Sequence, residues 1–231
     1  MINRRATAPL SRRTALALAV GVAAASLSGP AFGQAAGARD PALETYVNDS
    51  VRAALAALYN PNATVRARQA EFVRLMGQFS DVERLAINVL GRYGQAMRSD
   101  PARGRRWVET FRTYSMAVYE DQFRNFQADS FRVVGSRVNR PGADATVLCQ
   151  ILPRGARRPV AVDFRLLRGR DGVWRTLDIR TVFDGNEVWL SERQTADFLT
   201  AIERNNRNLD AFINDVATLT RQIQARVEAR G

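Results

Sequence analysis

The sequence predicts an α+β fold in which an antiparallel sheet of about four strands lies between N-terminal and C-terminal helices. Three observations predict it. Apolar residues recur at helical spacing from residue 43 to 126, alternate with a period of two from 131 to 183, and return to helical spacing from 198. The alternating runs are separated by Pro141-Gly142, Arg154-Gly155 and Gly169-Arg170-Asp171-Gly172, and connections this short favour an antiparallel meander. The composition, 46% hydrophobic and 25% charged over 231 residues, is that of a folded chain long enough to bury a core without disulfides or metals.

Residues 1–36 read as an export signal, which leaves 37–231 as a single domain. A basic start with Arg4, Arg5, Arg12 and Arg13 is followed by the small and apolar run Thr14 to Ser28, then Gly29-Pro30 and small residues around Ala35-Ala36. That run is too short and too rich in alanine to span a bilayer, which takes about twenty apolar residues. Ser11-Arg12-Arg13-Thr14-Ala15-Leu16 resembles a twin-arginine signal, with Ala15 where that motif prefers phenylalanine, and favours that route over general secretion. The chain is therefore expected outside the cytoplasm.

All 34 basic residues are arginine, and the formal charge is +11. Four of them sit in the leader, which holds no acid, so cleavage there leaves +7. The others are interleaved with acids, as in Arg66, Arg68 and Glu71, which is the pattern of a solvated helix face. With an export signal in front, this argues against a nucleic-acid partner.

Within the domain, Asp40-Pro41 reads as an N-cap followed by proline at the first helical position, with Leu43, Val47, Val51, Leu55 and Leu58 behind it. This helix should stop near Asn60-Pro61. A second stripe runs over Val65, Phe72, Leu75, Met76 and Phe79. Ser80-Asp81-Val82-Glu83 reads as a capping box opening a third helix whose face carries Val82, Leu85, Ala86, Val89, Leu90 and Tyr93. Asp100-Pro101 starts a long helix with Trp107, Phe111, Tyr114, Val118, Phe123 and Phe126 on its apolar face. The strands are expected over 131–138, 145–152, 160–167 and 173–183, closed by Asp184-Gly185-Asn186. Helical pattern then resumes at Phe198, Leu199 and Ile202 and again from Leu209 to Leu219, with a tail from Arg221 expected to fray.

Little in this sequence points to catalysis. Histidine is absent, which removes the usual general base and the commonest zinc ligand, and the single cysteine, Cys149, reads as a small buried apolar residue. Glu120-Asp121 are adjacent on a helix and do not face one point, and no glycine-rich loop leads from a strand into a helix. The remaining catalytic candidates are Asp163 or Asp178, each inside a strand, beside Tyr114 or Tyr119; they would suit a small-molecule enzyme or binder on a cone-shaped α+β fold. Apolar surface is abundant instead. Val147, Cys149 and Ile151 share one strand face, as do Val160, Val162, Phe164 and Leu166 on the next, opposite the aromatic stripe of the long helix. Filled cores and lined cavities use the same residue types, and pattern alone favours a filled core.

Four stretches in order carry a resemblance. Val89-Leu90-Gly91-Arg92-Tyr93, Trp107-Val108-x-x-Phe111-x-x-Tyr114-x4-Tyr119, Val173-Trp174-x3-Asp178-Ile179 and Trp189-Leu190-x3-Gln194-x-Ala196-Asp197-Phe198 together resemble the MlaC family over about residues 41 to 216. That family comprises periplasmic phospholipid-binding proteins of the Mla system, also called toluene-tolerance proteins and linked to outer-membrane lipid asymmetry. The resemblance implies a twisted antiparallel sheet wrapped by the N-terminal and C-terminal helices, an NTF2-like cone with a deep apolar cavity for acyl chains. Its lining would come from Leu85, Val89 and Tyr93, from Trp107, Phe111 and Tyr114, and from the strand residues Val133, Val147, Cys149, Ile151, Val162, Phe164 and Leu166. It further implies a monomeric, non-enzymatic shuttle with no cofactor besides the bound glycerophospholipid. Its partners would be an inner-membrane ABC transporter complex with its MCE-domain protein and an outer-membrane lipoprotein complex. Arg103 and Arg106, whose charge opposes the dipole at the start of the long helix, and Arg158 in a strand connection are the headgroup candidates. Gly94 departs from the family, which often has tryptophan there, and so do Glu120-Asp121 and the long C-terminal helix.

Overall fold

A computed structural model describes residues 38–123, 128–183 and 186–229; the leader reading of residues 1–36 falls outside them. The order is α1 (Pro41–Leu58), α2 (Val65–Phe79), α3 (Val82–Asn88), a 3-10 turn (Gly91–Tyr93), α4 (Gly94–Ser99) and α5 (Pro101–Phe123). The strands β1 (Ala128–Arg140), β2 (Asp144–Pro153), β3 (Val160–Arg168), β4 (Trp174–Phe183) and β5 (Asn186–Trp189) follow, then α6 (Leu190–Arg204) and α7 (Leu209–Ala229). The class is α+β, as the switch of periodicity predicts. By contacts the described chain divides into a sheet unit, residues 38–85 and 128–192, and a helical unit, residues 86–121 and 193–229.

In the sheet unit the five strands form an antiparallel meander in sequence order. The fifth strand was not expected. Asn186 reads as a turn residue in the sequence, but the chain folds back from there to pair Phe183 with Asn186 and Arg180 with Trp189. Four residues are too few to show an alternating pattern. Four irregularities displace the register among the described strands: three in β1, between Ala128 and Ser130, Val133 and Gly135, and Val138 and Arg140, and one in β4, opposite Arg165 and Leu166. Each inserts an extra residue, bends the strand and reverses the alternation beyond it. Val134 is the extra residue at the middle shift of β1 and stands 49% exposed.

The helix α1 starts where the Asp40-Pro41 signal places it, with the Asp40 carboxylate accepting from the N–H groups of Ala42 and Leu43 at 3.1 and 3.2 Å. The residues ahead of it run beside the outer strand, the Val138 N–H donating to Ala38 O and the Asp40 N–H to Ser136 Oγ. The helix lays Leu43 and Val47 on Ala145, Val147, Cys149 and Leu166, which form the buried core of this unit. The capping box at Ser80 is a correction. Ser80 is held in extended backbone by a bridge to Thr176, and Asp81 is the cap, accepting from the Arg84 N–H at 3.1 Å.

The helical unit corrects two further expectations. The face from Val82 to Tyr93 is not one helix: α3 ends at Asn88, and Gly91 turns the chain at φ +52° before the 3-10 turn and α4. Beside it the backbone closes tightly, because a Cβ on Gly94 would lie 2.7 Å from Ile87 O. Any side chain at this position would force that backbone to shift. The tail does not fray at Arg221, since α7 continues to Ala229 with Ile223 and Val227 buried. Along α5, Trp107, Phe111, Tyr114 and Val118 are buried as the stripe predicts, while Phe126 falls outside the described residues.

Candidate functional site

The carboxylates suggested for catalysis are occupied by the fold. Asp163 is buried and ion-paired with Arg180, whose Nε donates to it at 3.0 Å and which also reaches Glu187 at 3.2 Å and lies over the Trp189 ring. Asp178 accepts from the Ile179 N–H at 2.8 Å, from the Ser191 N–H at 3.1 Å and from the Ser191 hydroxyl, so it ties β4 to the first turn of α6. Burial pushes the Asp178 carboxyl up despite these bonds. The Tyr114 hydroxyl is pushed up to about 12, first by burial and then by Asp197, so it stays neutral at physiological pH. Among the described residues no cluster of three or more His, Cys, Asp or Glu side chains is placed to hold a metal.

The candidates of the helical unit form a packed aromatic cluster. Trp107 lies 5.6 Å from Phe111, 5.4 Å from Phe198 and 5.1 Å from Phe212, and Tyr114 lies 5.8 Å from Phe198. The Trp107 Nε1–H donates to Ala86 O at 2.6 Å, satisfying a carbonyl near the end of α3 that has no helical partner. Val89 is fully buried in this unit, and the Tyr93 hydroxyl donates to Glu203 at 2.7 Å. Arg103 and Arg106 meet their anion inside the protein: both bond Asp210 at the start of α7, and Arg103 also pairs with Asp100. This is the negative group that their position at the head of α5 calls for. Arg158 is exposed in the β2–β3 connection.

The candidates of the sheet unit lie on one face. Val147 pairs with Phe164, Cys149 with Val162, and Ala145 with Leu166, while Val133 pairs with Cys149 from the other side. That face has two zones. Where α1 covers it, Ala145, Val147, Cys149 and Leu166 are fully buried, and burial pushes the Cys149 thiol up so that it stays protonated. Around that cluster, Val133, Phe164 and Val51 pack against it and are half-buried, and Val160, Val162, Ile179, Leu55 and Leu58 are half-buried as well. Leu85 at the end of α3 is half-buried as well, and Ile151 sits at the margin of the buried zone.

Apolar side chains on adjacent strands, with charges turned to the opposite face, present a surface that is stabilised when another apolar group covers it. Sequence reasoning missed Ile179, Thr181 and Val188 on the same face. The first two are hidden by the register slip in β4, and the third lies in the unexpected strand. A further observation bears on placement: among the described residues no helix is long and apolar enough to cross a membrane.

Comparison with known proteins adds three findings. The model of a family described as MlaC protein matches residues 48–218. No match is found among curated proteins. The fold is similar to that of a solved phospholipid-binding protein from Ralstonia solanacearum in complex with a phospholipid, with 17% identity and a TM-score of 0.62, covering 80% of this chain and 98% of that one.

Proposed function

Because this chain belongs to the MlaC family, we propose that it is a carrier that holds a glycerophospholipid by its acyl chains and moves it between membranes without chemical change. The observation that carries this reading is the half-buried apolar zone of the sheet, from Val133 across Val162 to Ile179. The neighbour of similar fold was solved with a phospholipid, and the reading extends that ligand class to this chain.

The energetics suit a carrier. Burying two chains of about fifteen methylenes each gains on the order of 24 kcal/mol, but a bilayer offers the same gain, so transfer between them is nearly isoenergetic. Direction must then come from docking partners or from ATP spent elsewhere, and no catalytic residue is needed. The ion pair of Asp163 with Arg180 and the bonds from Ser191 to Asp178 support a non-enzymatic role, because both carboxylates are engaged in holding the fold. In this reading residues 1–36 form a twin-arginine-like leader that is removed, and the domain from residue 37 works in the periplasm as a monomer. It would exchange lipid with an inner-membrane ABC transporter complex carrying an MCE-domain protein and with an outer-membrane lipoprotein complex. Arg158, exposed in the β2–β3 connection and outside the ion pairs that engage Arg103 and Arg106 with Asp210, is the headgroup candidate this reading prefers.

Solvent extraction of the protein purified from a Gram-negative host, followed by mass spectrometry, tests the proposal. Diacyl phospholipid in near-stoichiometric amount is expected. Its absence from folded protein would refute the carrier reading.

A further inference from the structure

One polar atom stands alone on the apolar face. Thr181 is only 7% exposed, and its hydroxyl oxygen is buried with no hydrogen-bond partner among the described residues. The register places it in a row that crosses the whole sheet: Val133, Cys149, Val162, Thr181 and Val188 lie side by side on the five strands. Every other member of that row is apolar or a thiol held neutral by burial. Valine has nearly the same shape as threonine and an equal preference for strands, so packing and strand propensity do not call for the hydroxyl. Leaving it unpaired costs the free protein free energy, because a buried O–H has given up water without gaining an acceptor.

We infer that the Thr181 hydroxyl is the hydrogen-bond donor to an ester carbonyl of the bound lipid and so selects acyl esters over their ether analogues. This rests on the carrier reading and specifies which part of the lipid the sheet recognises. The argument from charge fixes the kind of acceptor. Thr181 neighbours Val162 and Val188 in its row and follows Ile179 on its own strand face, and no cation stands in that row. Arg180, the nearest along the chain, pairs across β3 and β5 with Asp163 and Trp189, on the opposite face. A phosphate oxygen buried beside Thr181 would be an uncompensated anion, which costs far more than one hydrogen bond returns. A neutral carbonyl carries no such penalty. In a glycerophospholipid that carbonyl sits at the root of each apolar chain, which matches a single donor set among half-buried valines.

The test compares delipidated full-length protein, wild type, T181V and T181S, binding dipalmitoyl phosphatidylglycerol and its dihexadecyl ether counterpart with the same headgroup. A neutral hydrogen bond of ordinary net strength gives the wild type about a five-fold preference for the ester. T181S should keep that preference, and T181V should bind both lipids alike. Without lipid, T181V should melt at or above the wild-type temperature, since it replaces an unpartnered hydroxyl with a methyl group. An ester preference that survives in T181V overturns the inference, as does a lipid-free T181V that melts clearly lower, which would mean that the hydroxyl is satisfied within the chain. A wild type that binds neither lipid overturns the carrier reading itself, and this inference falls with it.

Discussion

Replacing Val162 with aspartate should empty the protein of lipid while leaving it folded. Val162 is half-buried on β3, next to Cys149 on one side and Thr181 on the other. Losing half the burial of a valine costs about 1 kcal/mol, and in the lipid-free protein the new carboxylate still reaches water through the exposed half. Once an acyl chain covers it, that water is gone. The carboxylate then either stays ionised without a partner or takes up a proton, and protonating a group of ordinary pKa near 3.9 at pH 7 costs about 4 kcal/mol, since each unit is worth about 1.36. Against a nearly isoenergetic exchange with the bilayer, that penalty lowers retention about a thousand-fold. The assay is the ratio of extracted phospholipid to protein, alongside a thermal melt by circular dichroism. Retention should recover as the loading pH approaches 4, where the protonation cost vanishes. A folded V162D that still carries near-stoichiometric lipid at pH 7 would refute the two-zone account of the sheet. Val147, 0% exposed under α1, is the contrasting position: V147D should fail to fold rather than fold empty.

Two other outcomes test the helical unit. W107F should cost about 3 kcal/mol in urea unfolding, because it strips Ala86 O of its donor and leaves space among Phe111, Phe198 and Phe212; a loss below about 1 kcal/mol would mean that the carbonyl finds another partner. Glu203 is held down to about 2 by the Tyr93 hydroxyl first, then by Arg207 and Arg92, so its folded pKa lies below its unfolded one. Its stabilising contribution is therefore complete above about pH 4.5 and disappears as the pH falls toward 2, and the melting difference between wild type and E203Q should shrink over that window. A difference that is flat with pH would refute this assignment.

The architecture was legible because periodicity reports which side of each element is wet. The switch near residue 131 and the return of helical spacing by residue 198 bracket the sheet, and Asp40-Pro41 and Asp100-Pro101 mark helix starts to the residue. What stayed hidden depends on contacts distant in sequence. Ser80 looks like a better cap than Asp81 until Thr176 claims its backbone. The site was half legible. Within β2 and β3 strict alternation holds, so the grouping of Val147, Cys149 and Ile151 with Val162, Phe164 and Leu166 is correct. In β4 it does not hold. Alternation from Trp174 and Thr176 would put Asp178 and Arg180 on the apolar face, but the slip beside Leu166 puts Ile179 and Thr181 there instead. That slip sends a candidate acid away from the apolar side and brings in an unsuspected hydroxyl. Arg103 and Arg106 were expected to meet a lipid headgroup, and sequence distance concealed that Asp210 pairs with both.

The helical unit is assembled from two stretches, residues 86–121 and 193–229, with the entire meander between them. On the ribosome these stretches emerge at different times, separated by roughly 5 to 15 s at ordinary rates of synthesis. During that interval Trp107 and Phe111 are present while Phe198 and Phe212, which cover them, have yet to be made. The meander, built from neighbouring hairpins, has no such wait. A nascent chain of this design therefore displays a bare aromatic ridge until almost its last residue, and a chaperone that shields such ridges has its natural target there.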